Sequence, residues 1–522
     1  MTIARSGRLA IHAYEGSDRD DALLAGWLSD RRVLEWFEGR DRPHDRQMIR
    51  ANYGPDALAA AQVQAAIFSD NGWPLGYLRW YPMSSVVDEY DWRDDPTDVW
   101  AADIFVGDPN RWGRGLGSAA LALLVEHLMV AERARRVVVD PWIGNARAIR
   151  AYEKIGFRTV GIHRGHEMFE GERRDCWLMA IDALDHPVGL AARLADAGGA
   201  ADTVESWARA RGFDVHRSEV APGRDNVVCV RRGSGGGRTL LLNGRLAVEG
   251  GPATSADLAA GLLAASSFAE GELAGDVIVA GVADGVHSHV GTETLVRDWK
   301  ADGAVVLEPT GGVVVCRHRG VVVLDVVLTG RAAPTAQPER GLSAVSAAAR
   351  VVSALEALDA RWAAEASDPV FRPAAVVSRV ECRGDTSTVA ERGELSIHVH
   401  TTSLVASSQV DPVTTAVAEA AEPLEVSVAT VLSRRPVQLR ESHRLAEQAL
   451  AAVSSVTGEP ATAGAAPHWT VAALHALAGT PAVVYGPSVE AGSNEPGWVS
   501  TDAIRQGTEV LAALATTFCA PR

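Results

Sequence analysis

The sequence predicts an α/β protein of two units in series, the second interrupted by an inserted α+β subdomain. Three observations predict this. The chain has 522 residues, more than one ordinary hydrophobic core holds. From about residue 240, short apolar runs closed by turn residues (TLLLNG, DVIVAGVAD, GAVVLEP, PAVVYGP) alternate with helical stretches, the pattern of a mostly parallel sheet. Nearer the start, a strand-like VWAADIFV passes through the glycine-rich GDPNRWGRGLG into a helix.

A hydrophobic content of 47% and a charged content of 22% belong to a globular protein. The formal net charge of -16 argues against nucleic acid or an anionic membrane as partner, because both reward a positive surface. It suits a cationic ligand. The cysteines (Cys176, Cys229, Cys316, Cys382, Cys519) are scattered and odd in number, which predicts reduced thiols. The opening MTIARSGRLAIHAYEGSDRDD lacks the apolar run of a secretory signal, and no segment has the apolar length to span a bilayer. The expectation is a cytoplasmic protein.

The units are expected to meet near residues 183–190, where an aromatic-rich stretch gives way to Ala, Val, Leu and Gly. This divides the chain into 1–185, then 186–317 together with 430–522, and an insert over 318–429. A helix over 188–211 is expected to open the second unit. In the insert, VVVLDVVLTG and ELSIHVHTTS are expected as strands with one exposed face, with a helix over 341–366 between them.

The first unit carries the chemistry. Gly113, Gly115 and Gly117 allow backbone N–H groups to approach an anion closely, and the helix starting near Gly115 adds partial positive charge. Leu116, Ala120, Leu124 and Leu128 share one face of that helix. Asn145 enters a second helix, which Gly156 is placed to end. Tyr152 lies on it, where a phenol can protonate a leaving group. Asp88, Glu89, Asp91, Asp94, Asp95 and Asp98 crowd the approach to Asp103 and would steer a polycation, although most charge runs are simply solvated.

Residues 8 to 183 resemble the GNAT superfamily of acetyltransferases, and specifically the aminoglycoside 6'-N-acetyltransferases. The resemblance rests on LLAGWLSDRRVLEWFEG, PLGYLRWY, the Asp103 strand with WGRGLG, and DPWIGNARAIRAYEKIGF. Trp112 stands where the general pattern favours Arg or Gln. The resemblance implies a mixed sheet flanked by helices, with acetyl-coenzyme A held by Val106, Gly113, Arg114, Gly115, Gly117 and Asn145. Asp103 would bind the reacting end of the aminoglycoside and help its ammonium lose a proton, and Tyr152 would be the general acid. Asp140 would bind another amine, Asp88 with Glu89 and Asp91 would lie in a loop closing over the sugars, and Trp36 and Phe37 would wall the site. The implied function is acetylation of an aminoglycoside, at the 6'-amine, for resistance or self-protection. The alternative is acyl transfer to another amine, such as a siderophore-type lysine or a different amino sugar.

From about residue 186 the chain resembles the zinc aminoacylase family that includes acetylornithine deacetylase and succinyl-diaminopimelate desuccinylase. GRDNVV, LLLNGRLAVEG, GAVVLEPT, HRGVVVLDVVLTGRAA and VVYGPSVEAGSNE carry the resemblance. The metal ligands do not carry over. Arg245 and Ala247 replace the family's His and Asp, Gly285 and Val286 its paired glutamates, Gly492 its late His, and Pro334 the substrate-contacting His of the insert. Asp257 and Glu308 remain, fewer than the three or four protein ligands that zinc requires. The expectation is a pseudo-hydrolase without metal, with Arg245 paired to Asp257 or Glu308 and homodimerisation as a remaining role. The alternatives are a ligand set rebuilt with His287 and His289, and a bifunctional acetyltransferase/deacetylase.

Overall fold

The computed structural model describes residues 1–196, 198–246, 251–284, 289–489 and 499–522. Ala247, Gly285, Val286, His287 and Gly492 lie outside the described residues. The chain divides into two units, Met1–Asp196 and Ala197–Arg522.

The first unit is one eight-stranded sheet with helices on both faces. Its strands are β1 (Thr2–Ser6), β2 (Leu9–Ala13), β3 (Gln64–Asp70), β4 (Trp73–Pro82), β5 (Val99–Val106), β6 (Arg136–Val139), β7 (Arg158–Phe169) and β8 (Glu172–Asp182). Their spatial order is β1-β2-β3-β4-β5-β6-β8-β7. Helices α1 (Asp18–Trp27), α2 (Arg31–Leu34), α3 (Arg46–Tyr53) and α4 (Pro55–Ala60) separate β2 from β3. After β5 come α5 (Leu116–Ala131), α6 (Ala146–Lys154) before β7, and α7 (Pro187–Leu194) after β8.

Every pair in this sheet is antiparallel except β5 with β6. That parallel pairing lasts only three residues, Val99↔Arg136 to Ala101↔Val138. Beyond Ala101 the edge of β5 has no partner strand on this side among the described residues, so the sheet opens into a cleft. The α5 helix is apolar around most of its circumference and buries Ala120, Leu121, Leu124, Val125 and Leu128 against Ile11, Phe68, Leu78 and Trp80. On the opposite face, Leu24, Leu28, Leu34 and Ile49 pack with Tyr53, Tyr77 and Phe105.

The helix expected over 188–211 is two helices. Pro187–Leu194 packs on α5 within the first unit, and Ala200–Ala210 belongs to the second. The glycine pair Gly198–Gly199 lies at the break, and Gly199 caps the second helix.

The second unit holds a nine-stranded sheet. Strands Leu240–Arg245, Val277–Val282, Gly303–Leu307 and Ala482–Val484 are its parallel centre. Antiparallel neighbours flank that centre, including the hairpin Asp214–Ala221 with Arg224–Arg231, so the sheet is more mixed than the apolar runs alone predict. A separate antiparallel sheet contains Gly320–Thr329, Ala374–Arg383, Arg392–Thr401 and Glu425–Arg434, with helices Ala344–Glu365 and Ser407–Ala421. Along Gly320–Thr329 and Arg392–Thr401 buried residues alternate with half-buried ones, as one-sided strands require. The last strand runs past residue 429 to Arg434. All five cysteines are unpaired. Among the described residues no helix is long and apolar enough to cross a membrane.

Two stability outcomes are expected. Leu124 is fully buried, so Leu124→Ala should weaken the first unit by about 2–5 kcal/mol, read as a lower denaturant midpoint for its transition. In the second unit, burial lowers His318 and His475 to about 4. Below the ordinary histidine range the unfolded chain binds protons that the folded one refuses. Stability of that unit should therefore fall between about pH 6.5 and 4, by about 3 kcal/mol per histidine, in denaturation series across pH.

Candidate active site

The cleft between β5 and β6 has a volume of about 860 Å³. One wall is the turn before α5. Gly113 and Gly115 take φ of 75° and 76°, the left-handed region in which a side chain is strained, and Gly115 caps α5. The backbone N–H groups from Gly113 to Ser118 have no protein acceptor among the described residues. Six open amides at a helix N-terminus form a cradle for an anion. The Trp112 indole Nε1 donates to the Val106 carbonyl at 2.8 Å, fastening the turn to the strand. Above Trp112, at 4.0 Å, lies the Arg147 guanidinium, which also faces Trp36 at 5.4 Å and forms no ion pair among the described residues. Arg150 and Lys154 on α6 line the same cleft. This wall is cationic.

The other wall is anionic. Glu38, Asp103, Asp140 and Glu167 all face the cleft. Asp103 lies opposite Arg79 in the β4–β5 register, and its Oδ2 accepts from Arg79 Nε at 2.6 Å and from the Tyr81 hydroxyl at 3.5 Å. Its Oδ1 has no hydrogen bond among the described residues. Burial raises the Asp103 carboxyl above the usual range, with Arg79 opposing and Asp140 assisting the rise. Asp140, just past the end of β6, contacts His166 Nε2 at 3.0 Å, which raises His166. Tyr90 links the two pairs, with its hydroxyl 3.2 Å from that of Tyr81 and its ring 5.0 Å from His166. Glu38 accepts the Tyr53 hydroxyl at 2.5 Å.

Tyr152, Asn145, Trp36, Phe37, Glu89, Val106, Gly113, Gly115 and Gly117 line the cleft together with Asp103 and Asp140. Asp88, Asp91 and Arg114 do not. Asp91 pairs with Arg93 at 2.9 Å on the surface, while Asp88 and Arg114 are exposed. The Asn145 side chain caps α6 by accepting from Ala148 N–H at 3.1 Å, so its oxygen is occupied while its amide N–H groups stay open. Burial raises the Tyr152 phenol above its ordinary range, which keeps it protonated. Arg79, Tyr81, Arg147, His166 and Glu167 were not legible as site residues in the sequence. One signal was present for the last two: Gly165 inside an alternating strand marks an irregularity.

A family model described as an acetyltransferase (GNAT) domain matches residues 17–164. Over 147 residues the chain is 32% identical to "Aminoglycoside N(6')-acetyltransferase type 1" of Klebsiella pneumoniae, covering 28% of this chain and 72% of that protein. The chain belongs to the GNAT acetyltransferases. It is also 31% identical over 86 residues to "Spermine/spermidine N(1)-acetyltransferase" of Bacillus subtilis (strain 168), 16% of this chain and 56% of that one. The remainder is peptidase/amidohydrolase-like in fold. Aminopeptidase PepT from Bacillus cereus superposes with a TM-score of 0.55 at 15% identity, covering 63% of this chain and 97% of that one.

An N-acetyltransferase joins an anionic thioester donor to an amine, and the two walls of this cleft match the two reactants. The open amides and the α6 cations fit the phosphates of acetyl-coenzyme A. In the hydrolase-like unit, Asp257 is buried and bound to Ser488, through its hydroxyl at 2.6 Å and its N–H at 3.1 Å. No ion pair joins Arg245 to Asp257 among the described residues, contrary to one of the pairings expected from the sequence. Ser488 instead satisfies both oxygens of the Asp257 carboxylate. Pro334 forms an isolated bridge with Thr388.

Trp112→Ala removes the indole hydrogen bond to Val106 and the surface under Arg147. Steady-state kinetics should show KM for acetyl-coenzyme A rising roughly tenfold, with the amine KM little changed.

Proposed function

We propose that this GNAT enzyme acetylates an aminoglycoside at a primary amine, the 6'-amine, in resistance or self-protection. The observation that carries this is the density of negative charge: six carboxylates (Glu35, Glu38, Glu89, Asp103, Asp140 and Glu167) line one cleft, and Asp103 keeps one oxygen without a partner among the described residues. A single amine needs one such group, whereas a polycationic sugar engages several. Trp36, Phe37 and Trp142 supply apolar faces against which sugar rings pack. The likeness to an enzyme named for N(6') acetylation of aminoglycosides supports the same substrate class and position.

In this account Asp103 Oδ1 and Asp140 grip ammonium groups, and the turn at Gly113–Gly117 holds the donor's pyrophosphate. Tyr152 gives its phenolic proton to the departing thiolate. Acetylation turns a cation into a neutral amide and removes a hydrogen-bond donor. The hydrolase-like unit keeps its fold without metal chemistry, a reading supported by the hold of Ser488 on Asp257 and by Arg245 at a ligand position.

Purified full-length protein should release thiol from acetyl-coenzyme A with kanamycin-type sugars, and NMR should place the acetyl group on the 6'-nitrogen. Turnover of spermidine or lysine-type amines with none of any polyamine sugar would overturn the substrate assignment. Asp103→Asn should lower kcat/KM for the sugar by about 10²-fold through lost charge complementarity.

A further inference from the structure

The carboxylates that line the cleft differ in their environments. An amine attacks a thioester only as the neutral base, so the bound ammonium must first lose a proton to some group. Among the carboxylates of the cleft, Asp103 is ion-paired with Arg79 at 2.6 Å and Asp140 with His166 at 3.0 Å. Protonating either would strip a neighbouring cation of its partner. Glu38 already accepts from Tyr53, and Glu35 and Glu89 are exposed.

Glu167 differs from all of these. It lines the cleft, it is half-buried, and its carboxylate has no hydrogen bond or ion pair among the described residues. A shift in the register of β7 against β8 puts it there. The β7–β8 register shifts between His163 and Glu167, and Gly165 sits within the shift at φ 57°, with its N–H bound to Asp175 Oδ1 at 2.7 Å. A regular strand sends consecutive side chains to opposite faces, whereas this irregularity brings both His166 and Glu167 to the cleft.

We propose that Glu167 accepts the proton from the bound ammonium before acetyl transfer, making it a catalytic residue beside Asp103 and Tyr152. This rests on the amine-acetylating reading of the cleft and not on which amine is bound. The proton passes from nitrogen to a Glu167 oxygen, leaving a neutral amine and a carboxylic acid. The nitrogen lone pair then forms the C–N bond at the thioester carbonyl, and the C–S bond breaks. The second proton lost by nitrogen balances the one the thiolate takes through the Tyr152 phenol, while Glu167 returns its proton to water.

The surroundings tune the group for this task. Burial, then the charge of Asp140, pushes Glu167 to about 6, with Asp103 adding to the rise and Arg174 and His166 opposing it. The Cys176 thiol beside it is pushed up to about 12 and carries no charge. Ionised at neutral pH yet only weakly acidic, Glu167 suits proton acceptance better than an ordinary carboxylate does.

The test uses full-length Glu167→Gln with acetyl-coenzyme A and whichever amine the wild type turns over best, a kanamycin-type sugar or spermidine. The expected result is a fall in kcat of about 10²-fold or more, an unchanged KM for acetyl-coenzyme A, and loss of the acid limb near pH 6. Added formate should restore part of the rate of Glu167→Ala. A Glu167→Gln rate within about twofold of wild type, or an acid limb kept in that variant, would overturn the proposal. If spermidine alone is turned over, the sugar assignment fails and the proton-acceptor test proceeds on spermidine.

Discussion

The acetyltransferase unit depends on how briefly β5 pairs with β6. Three residues of parallel ladder join them, and then the strands part. Had the ladder continued, Asp103 and Val106 would stand beside a neighbouring strand and there would be no cleft. What replaces the missing ladder is specific. The Trp112 indole donates to the Val106 carbonyl, and the opened edge faces a turn whose own amides lack acceptors among the described residues. Backbone polarity that a sheet would consume is left for a ligand.

The opposition of charge across this gap follows from which elements supply its walls. The turn before α5 and the α6 face contribute amides, Arg147, Arg150 and Lys154, while β5, the end of β6 and β7 contribute Asp103, Asp140 and Glu167. In the reaction proposed here an anionic donor and a cationic acceptor would each be attracted to their own side, and the reacting carbonyl and nitrogen would meet between them. Each carboxylate is then set by its neighbour: Arg79 holds Asp103, His166 holds Asp140, and Glu167 is left free of either. The Arg40–Glu170 pair at 2.6 Å ties the loop after α2 to the β7–β8 turn, and it holds Glu170 at about 2.

Local pattern was legible in the sequence, and long-range register was not. The strand VWAADIFV, the glycine turn and the start of α5 stand where their residues indicate, because alternation and left-handed glycines are local properties. Asp103 could be picked out, but not Arg79, since only the β4–β5 register sets them opposite one another. His166 and Glu167 depended on a strand irregularity that one glycine signals only faintly. The same limit explains the second unit. Its apolar runs revealed the parallel centre, while the antiparallel flanks arise from pairings between distant segments. Neither the break at Gly198–Gly199, inside the single helix expected over 188–211, nor the packing of Pro187–Leu194 on α5 was read from the sequence.

In the proposed reaction one cleft receives thioester and amine from opposite, oppositely charged walls. A crystal structure of the full chain with coenzyme A and a bound aminoglycoside tests it most directly. The expected result has the pyrophosphate on the amides of Gly113–Gly117, the sulfur within reach of the Tyr152 hydroxyl, and the acceptor nitrogen between Asp103 and Glu167. Coenzyme A bound outside this cleft, or an acceptor nitrogen remote from both carboxylates, would contradict it.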